Sequence, residues 1–114
     1  MKHYLFWTLL LASVASKAAW IEASGKVNSI AIYSSTETIL VTLNSHGAPV
    51  TGCSNTSAFA VSNSMSPEGR ARMYAMLLAA KTAGTVITVA YDELGGCEPW
   101  GSNQSVYRII RRMR

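Results

Sequence analysis

The sequence predicts a mainly β domain with one α-helix: an OB-fold, in which five strands form a partly open Greek-key barrel and the helix falls between the third and fourth strands. Three observations carry this expectation. Hydrophobic residues alternate with period two up to Val61, a single helix-start signal stands at Ser66-Pro67-Glu68, and two further β-rich segments follow Gly84. The same element order also fits a layered α+β arrangement, with the helix lying across an open antiparallel sheet.

The chain of 114 residues opens MKHYLFWTLLLASVASKAAW, which reads as an export signal. Lys2 supplies the positive start, Tyr4 to Val14 the apolar stretch, and the small residues that follow suit peptidase cleavage after Ala15 or, preferably, Ala18. The apolar run is shorter than the ~20 residues of a spanning helix, so a cleaved signal is expected, with no membrane span after cleavage and a secreted or periplasmic location. The segment 1–18 is set apart from a single domain over 19–114.

Within that domain, KVNSIAIYSS and TILVTLN read as the first two strands. The first sets Val27, Ala31 and Tyr33 against Ile30 and Ile32; the second sets Ile39, Val41 and Leu43 against Leu40 and Thr42. A glycine-, proline- and serine-rich loop, NSHGAPVTGCSNTS, leads to a short third strand, AFAVSN. Ser66 then offers a cap, Pro67 a first-turn residue that needs no donor, and Glu68 a charge suited to the positive helix end. A helix is predicted from Pro67 to about Thr82, stopped by Gly84, with TVITVAY and SVYRIIRR as the fourth and fifth strands and DELGGCEPWGSNQ as the loop between them.

From Met73 to Ala80 the helix carries no charge. Its side chains divide into two apolar stripes, one of Ala71, Tyr74, Ala75 and Leu78, the other of Met73, Met76, Leu77 and Ala80. One stripe covers the domain's own sheet. The second is expected to form an oligomer interface, the competing reading being that a lone helix in a small domain simply sinks deep.

Charge argues against nucleic acid as a partner. The formal net charge is +4, but Lys2 and Lys17 belong to the export segment, so +2 remains for the domain. The C-terminal RIIRRMR reads as a strand end with a solvated basic tail. Cys53 and Cys97 lie within the exported part, where an oxidising compartment pairs them as a disulfide. No metal or other cofactor is expected, because the cysteines lack a close second ligand and His46 is the one histidine of the domain. Asp92, Glu93 and Glu98 flank the glycine-rich loop as solvated acids, and no nucleophile, base and orienting group assemble around them, so no enzyme activity is expected.

With this strand order, a disulfide, and ARMYAMLLAAKTAGTVITVAY as helix, glycine stop and fourth strand, the chain resembles the B subunits of bacterial toxins, in particular the pertussis-like and subtilase-cytotoxin group. The resemblance covers Gly25 to Arg111 and implies a ring of five OB-fold subunits with pore-lining helices and outward glycan sites. No glycan-contacting motif of that family matches residue by residue. OB-folds bind oligosaccharides and oligonucleotides through the loops joining strands one to two and four to five, which here hold Ser34, Ser35 and Thr36 on one side and Trp100, Asn103 and Gln104 on the other. An aromatic plane among hydroxyls and amides suits a sugar ring, although a lone tryptophan beside Pro99 also serves to seal a barrel mouth. Tyr33, Tyr91 and Tyr107 read as sheet packing. Asn55 and Asn103 head glycosylation-type triplets, a pattern frequent by chance. The function expected is an exported, non-catalytic binding module for a glycan or protein ligand; the alternative is a monomeric periplasmic accessory or inhibitor protein that holds another protein.

Overall fold

The computed structural model describes residues 19–114; the export segment and both cleavage positions, Ala15 and Ala18, lie outside the described residues. Strand β1 runs Trp20–Ile32, β2 Ile39–Leu43 and β3 Ala58–Val61; helix α1 spans Pro67–Ala83; β4 runs Val86–Asp92, β5 Cys97–Trp100 and β6 Asn103–Met113. The first strand starts six residues before the lysine at which the alternation becomes plain. Gly25 hides that start. A side chain there would meet the Asn44 Oδ1 at 2.5 Å, so the strand needs a residue without Cβ just where a hydrophobic one would have signalled it.

Along its length β1 changes partner. Its first half, Trp20 to Lys26, pairs antiparallel with β4, and its second half pairs with β2 after a register shift between Val27 and Ser29. Alternation along β1 turns Ala23, Gly25 and Val27 inward, where Val41, Phe59, Val61, Val89, Tyr91 and Ile110 complete the core.

The expected five-stranded OB-fold Greek-key barrel is corrected. Among the described residues six strands form a sheet in the order β3-β2-β1-β4-β6-β5. The extra strand is β5, which lies inside the segment expected to be loop. Strand β6 pairs with β5 from Asn103 to Arg108 and with β4 from Ile110 to Met113. The parallel contact between β3 and β6 is two residue pairs, Phe59↔Arg108 and Ala60↔Ile109, rather than a full closing ladder. The helix between the third and fourth strands and the mainly β character stand as expected.

Helix α1 begins as its sequence requires. The Ser66 side chain accepts the Gly69 amide at 3.0 Å, Pro67 occupies the first turn, and Gly84, at φ 69°, closes the helix with its amide donating to the Ala80 carbonyl. Its orientation turns part of the stripe expected at an oligomer interface into the chain's own core. Leu77 and Ala80 are 0% and 5% exposed in the chain's own core, and Met73 packs half-buried against it. These three stand at i, i+4 and i+7, one line along the helix, which is why they turn inward together. Met76 lies off that line and is 42% exposed, as Leu78 is at 45% on the other flank.

The basic C-terminus continues as strand β6 to Met113, and its exposed arginines are paired. Arg111 pairs with Asp92 at 2.8 Å, and Arg112 and Arg114 both reach Glu22. Arg108 is 1% exposed: it donates to the carbonyls of His46, Ala48 and Ala58, and its guanidinium lies 4.0 Å from the Phe59 ring centre. Burial lowers its pKa from the ordinary arginine value, and it remains a cation at neutral pH. Cys53 and Cys97 form the expected disulfide, with Cα atoms 5.6 Å apart. Among the described residues no helix is long and apolar enough to cross a membrane.

Candidate functional site

Three connections meet at the end of the sheet where Trp100 stands: the β1–β2 loop, the β3–α1 loop and the β5–β6 turn. Between them lies an open cleft of about 400 Å³, lined by Ser35, Thr36, Asn63, Pro99, Trp100 and Gly101. Its size falls in the range of small-molecule sites. The turn that presents Trp100 has two residues, Gly101 and Ser102, and Trp100 pairs directly with Asn103 across it. Gly101 sits at φ 62°, which only glycine adopts without strain, and so a tight reversal is possible at this point.

Aromatic neighbours hold the indole in place. Tyr33 meets it edge-on with ring centres 5.2 Å apart, and Tyr107 does so from the neighbouring strand at 5.5 Å. Such edge-to-face contacts fix the orientation of the ring as well as burying it. The tyrosines therefore do more than pack the sheet.

Polar ties fix the loops to one another. Glu98, 1% exposed, is tied to the cleft wall: its Oε2 accepts the Thr38 hydroxyl and the backbone amide of Asn63, the latter at 3.1 Å. One carboxylate thereby joins the start of β2, the β3–α1 loop and β5. Arg70 of α1 adds a second tie: it donates to the carbonyls of Asn63 and Met65 at 3.2 and 3.1 Å and pairs with Glu37 of the β1–β2 loop at 3.2 Å. The disulfide anchors β5 from behind, since Cys97 immediately precedes Glu98.

Of the six ligand-binding residues expected, Ser35, Thr36 and Trp100 line the cleft. Ser34, Asn103 and Gln104 are exposed outside its lining, and the Asn103 side chain is engaged with the Ser105 amide at 3.0 Å. Asn63, Pro99 and Gly101 were not anticipated. A signal for the turn was present, because Gly-Ser between two β-capable runs is a hairpin pattern; nothing in the sequence marks Asn63.

The acids do not assemble into a reactive group. Asp92 is held by Arg111, Glu93 is exposed and donates its amide to the Ala19 carbonyl, and Glu98 is buried rather than solvated as expected. His46 is exposed, with its carbonyl taken by Arg108. Among the described residues no three His, Cys, Asp or Glu side chains converge as metal ligands.

No family model, no curated protein and no solved structure matches this chain. The six-stranded sheet corrects the resemblance to toxin B subunits.

Proposed function

We propose that the chain is an exported binding module whose Trp100 cleft holds a sugar ring of a glycan without acting chemically on it. The observation that carries this reading is a single indole plane, clamped by two tyrosines at the wall of an open cleft whose other residues supply hydroxyls, an amide and no charge. A sugar ring offers an apolar face for stacking and hydroxyls that need partners on its rim, so both halves of the lining are used. The Cys53–Cys97 bond supports export, because structural disulfides persist in oxidising compartments.

The test is a glycan array probed with the protein and with Trp100→Ala. Binding to a defined subset of glycans, weakened at least about tenfold in the variant, is the expected result. An array without signal, or one on which the variant matches the parent, refutes the proposal. A second reading, an accessory protein that holds another protein, is favoured by Ile32 and Tyr33, 60% and 46% exposed at the end of β1 beside the same tryptophan. Array silence combined with loss of a protein partner on Tyr33→Ser exchange is the result that selects it.

A further inference from the structure

Resting on the glycan reading of the cleft, we propose that the site selects uncharged sugars over acidic ones and that Glu98 is the residue that sets this selectivity.

The lining itself is neutral: two hydroxyl side chains, one amide, a proline, an indole and a glycine. Selectivity by charge must therefore come from the groups that hold the walls, which are Glu37, Arg70 and Glu98. Glu37 and Arg70 pair with each other at 3.2 Å and offset one another. Two further donors of Arg70, both on Nη1, go to the Asn63 and Met65 carbonyls, so the arginine is held against the loops it joins. Glu98 is different. Among the described residues it has no cationic partner; its contacts are a hydroxyl and a backbone amide, and it is 1% exposed.

A carboxylate shielded from water acts on its surroundings over a longer range than a solvated one, because the local dielectric is low. Its position is tied to the lining on both sides. Asn63 lines the cleft and donates its amide to Glu98, while Pro99 and Trp100 follow Glu98 in the chain. An anionic ligand in the cleft meets this like charge, while the positive charge of Arg70 is already offset by Glu37. A neutral ring meets only the hydrogen-bonding rim and the indole.

The experiment compares matched glycan pairs, each oligosaccharide with and without a terminal carboxylated or sulfated sugar, by titration against the protein, Glu98→Gln and Glu98→Asp. The protein is expected to bind the neutral member at least about tenfold more tightly, on the scale of a like-charge contact. Glu98→Gln retains an oxygen acceptor for Thr38 and Asn63 and is expected to shrink that ratio to about threefold or less, while Glu98→Asp preserves it. A purely structural role for Glu98 would lower both affinities together and leave the ratio alone. Equal or stronger binding of acidic members by the protein overturns the selectivity while leaving the glycan reading intact, as does a ratio unchanged in a folded Glu98→Gln protein. Should Glu98→Gln fail to fold, the matched-pair ratio of the protein and its retention in Glu98→Asp decide the matter. Silence on every pair removes the glycan reading and the selectivity with it.

Discussion

Glu98 and Arg108 are buried to the same degree, each 1% exposed, and sit one register step apart on the β5–β6 hairpin, yet they do not meet. Cys97 faces Arg108 and Glu98 faces Tyr107, so strand alternation sends the acid and the base to opposite faces. On one face Arg108 is wrapped by carbonyls of the loop after β2 and by the Phe59 and Tyr91 rings, in a closed setting where Tyr91 also donates to Ala48 at 2.9 Å. On the other face Glu98 holds two donors, one of them from Asn63 of the cleft wall. The difference separates two uses of a buried charge. Arg108 satisfies backbone groups that would otherwise be stranded, whereas Glu98 joins the connections that shape a cavity.

The largest effect that tests this contrast strikes both faces at once. Exchange of Cys53 and Cys97 for serine releases a loop closed over a sequence separation of 44 and is expected to cost about 4 kcal/mol, read by denaturant unfolding. Cleft binding is expected to fall with it, because β5 is only four residues long. Next in size is Arg108→Met, which keeps apolar contact with Phe59 but leaves the carbonyls of His46 and Ala58 without their donor. A loss of about 3 kcal/mol in unfolding free energy, with the ligand ratio between neutral and acidic glycans unchanged, is expected. A larger change in that ratio than in stability would erase the distinction between the two faces. The smallest effect belongs to Glu98→Gln, expected to cost about 1–2 kcal/mol because both donors keep an acceptor while the new buried amide hydrogens gain none, so that its distinguishing consequence appears in ligand choice.

Much of the fold was legible because local chemistry determined it. The Ser66 cap, Pro67 and Gly84 bound the helix within a residue or so of expectation, since each satisfies or terminates backbone groups by itself. The disulfide was legible because two cysteines permit one pairing. What escaped were features set by distant partners. Gly25 lies inside β1 because of the close approach of Asn44, and β5 forms because Gly101 allows Cys97–Trp100 to fold back on β6. Which apolar helix stripe turns inward depends on the sheet beneath, and two stripes of equal greasiness gave no basis for choosing. In the site, Trp100, Ser35 and Thr36 could be found from residue type and loop position. Glu98 could not, because an acid next to glycines and a proline carries no local mark of burial; the donors that hold it come from Thr38 and Asn63, 60 and 35 residues away in the chain.

The two-residue turn also bears on the choice of expression host. Asn103 begins an Asn-Gln-Ser triplet, is exposed, and lies directly across the turn from Trp100. Secretion through a eukaryotic cell that modifies such triplets would set a branched oligosaccharide at the cleft's edge. Asn55 heads the other such triplet, and its side-chain oxygen is engaged by the amides of Ser57 and Ala58 as that of Asn103 is by the Ser105 amide. Material made in bacteria, or carrying Asn103→Asp, keeps the indole bare.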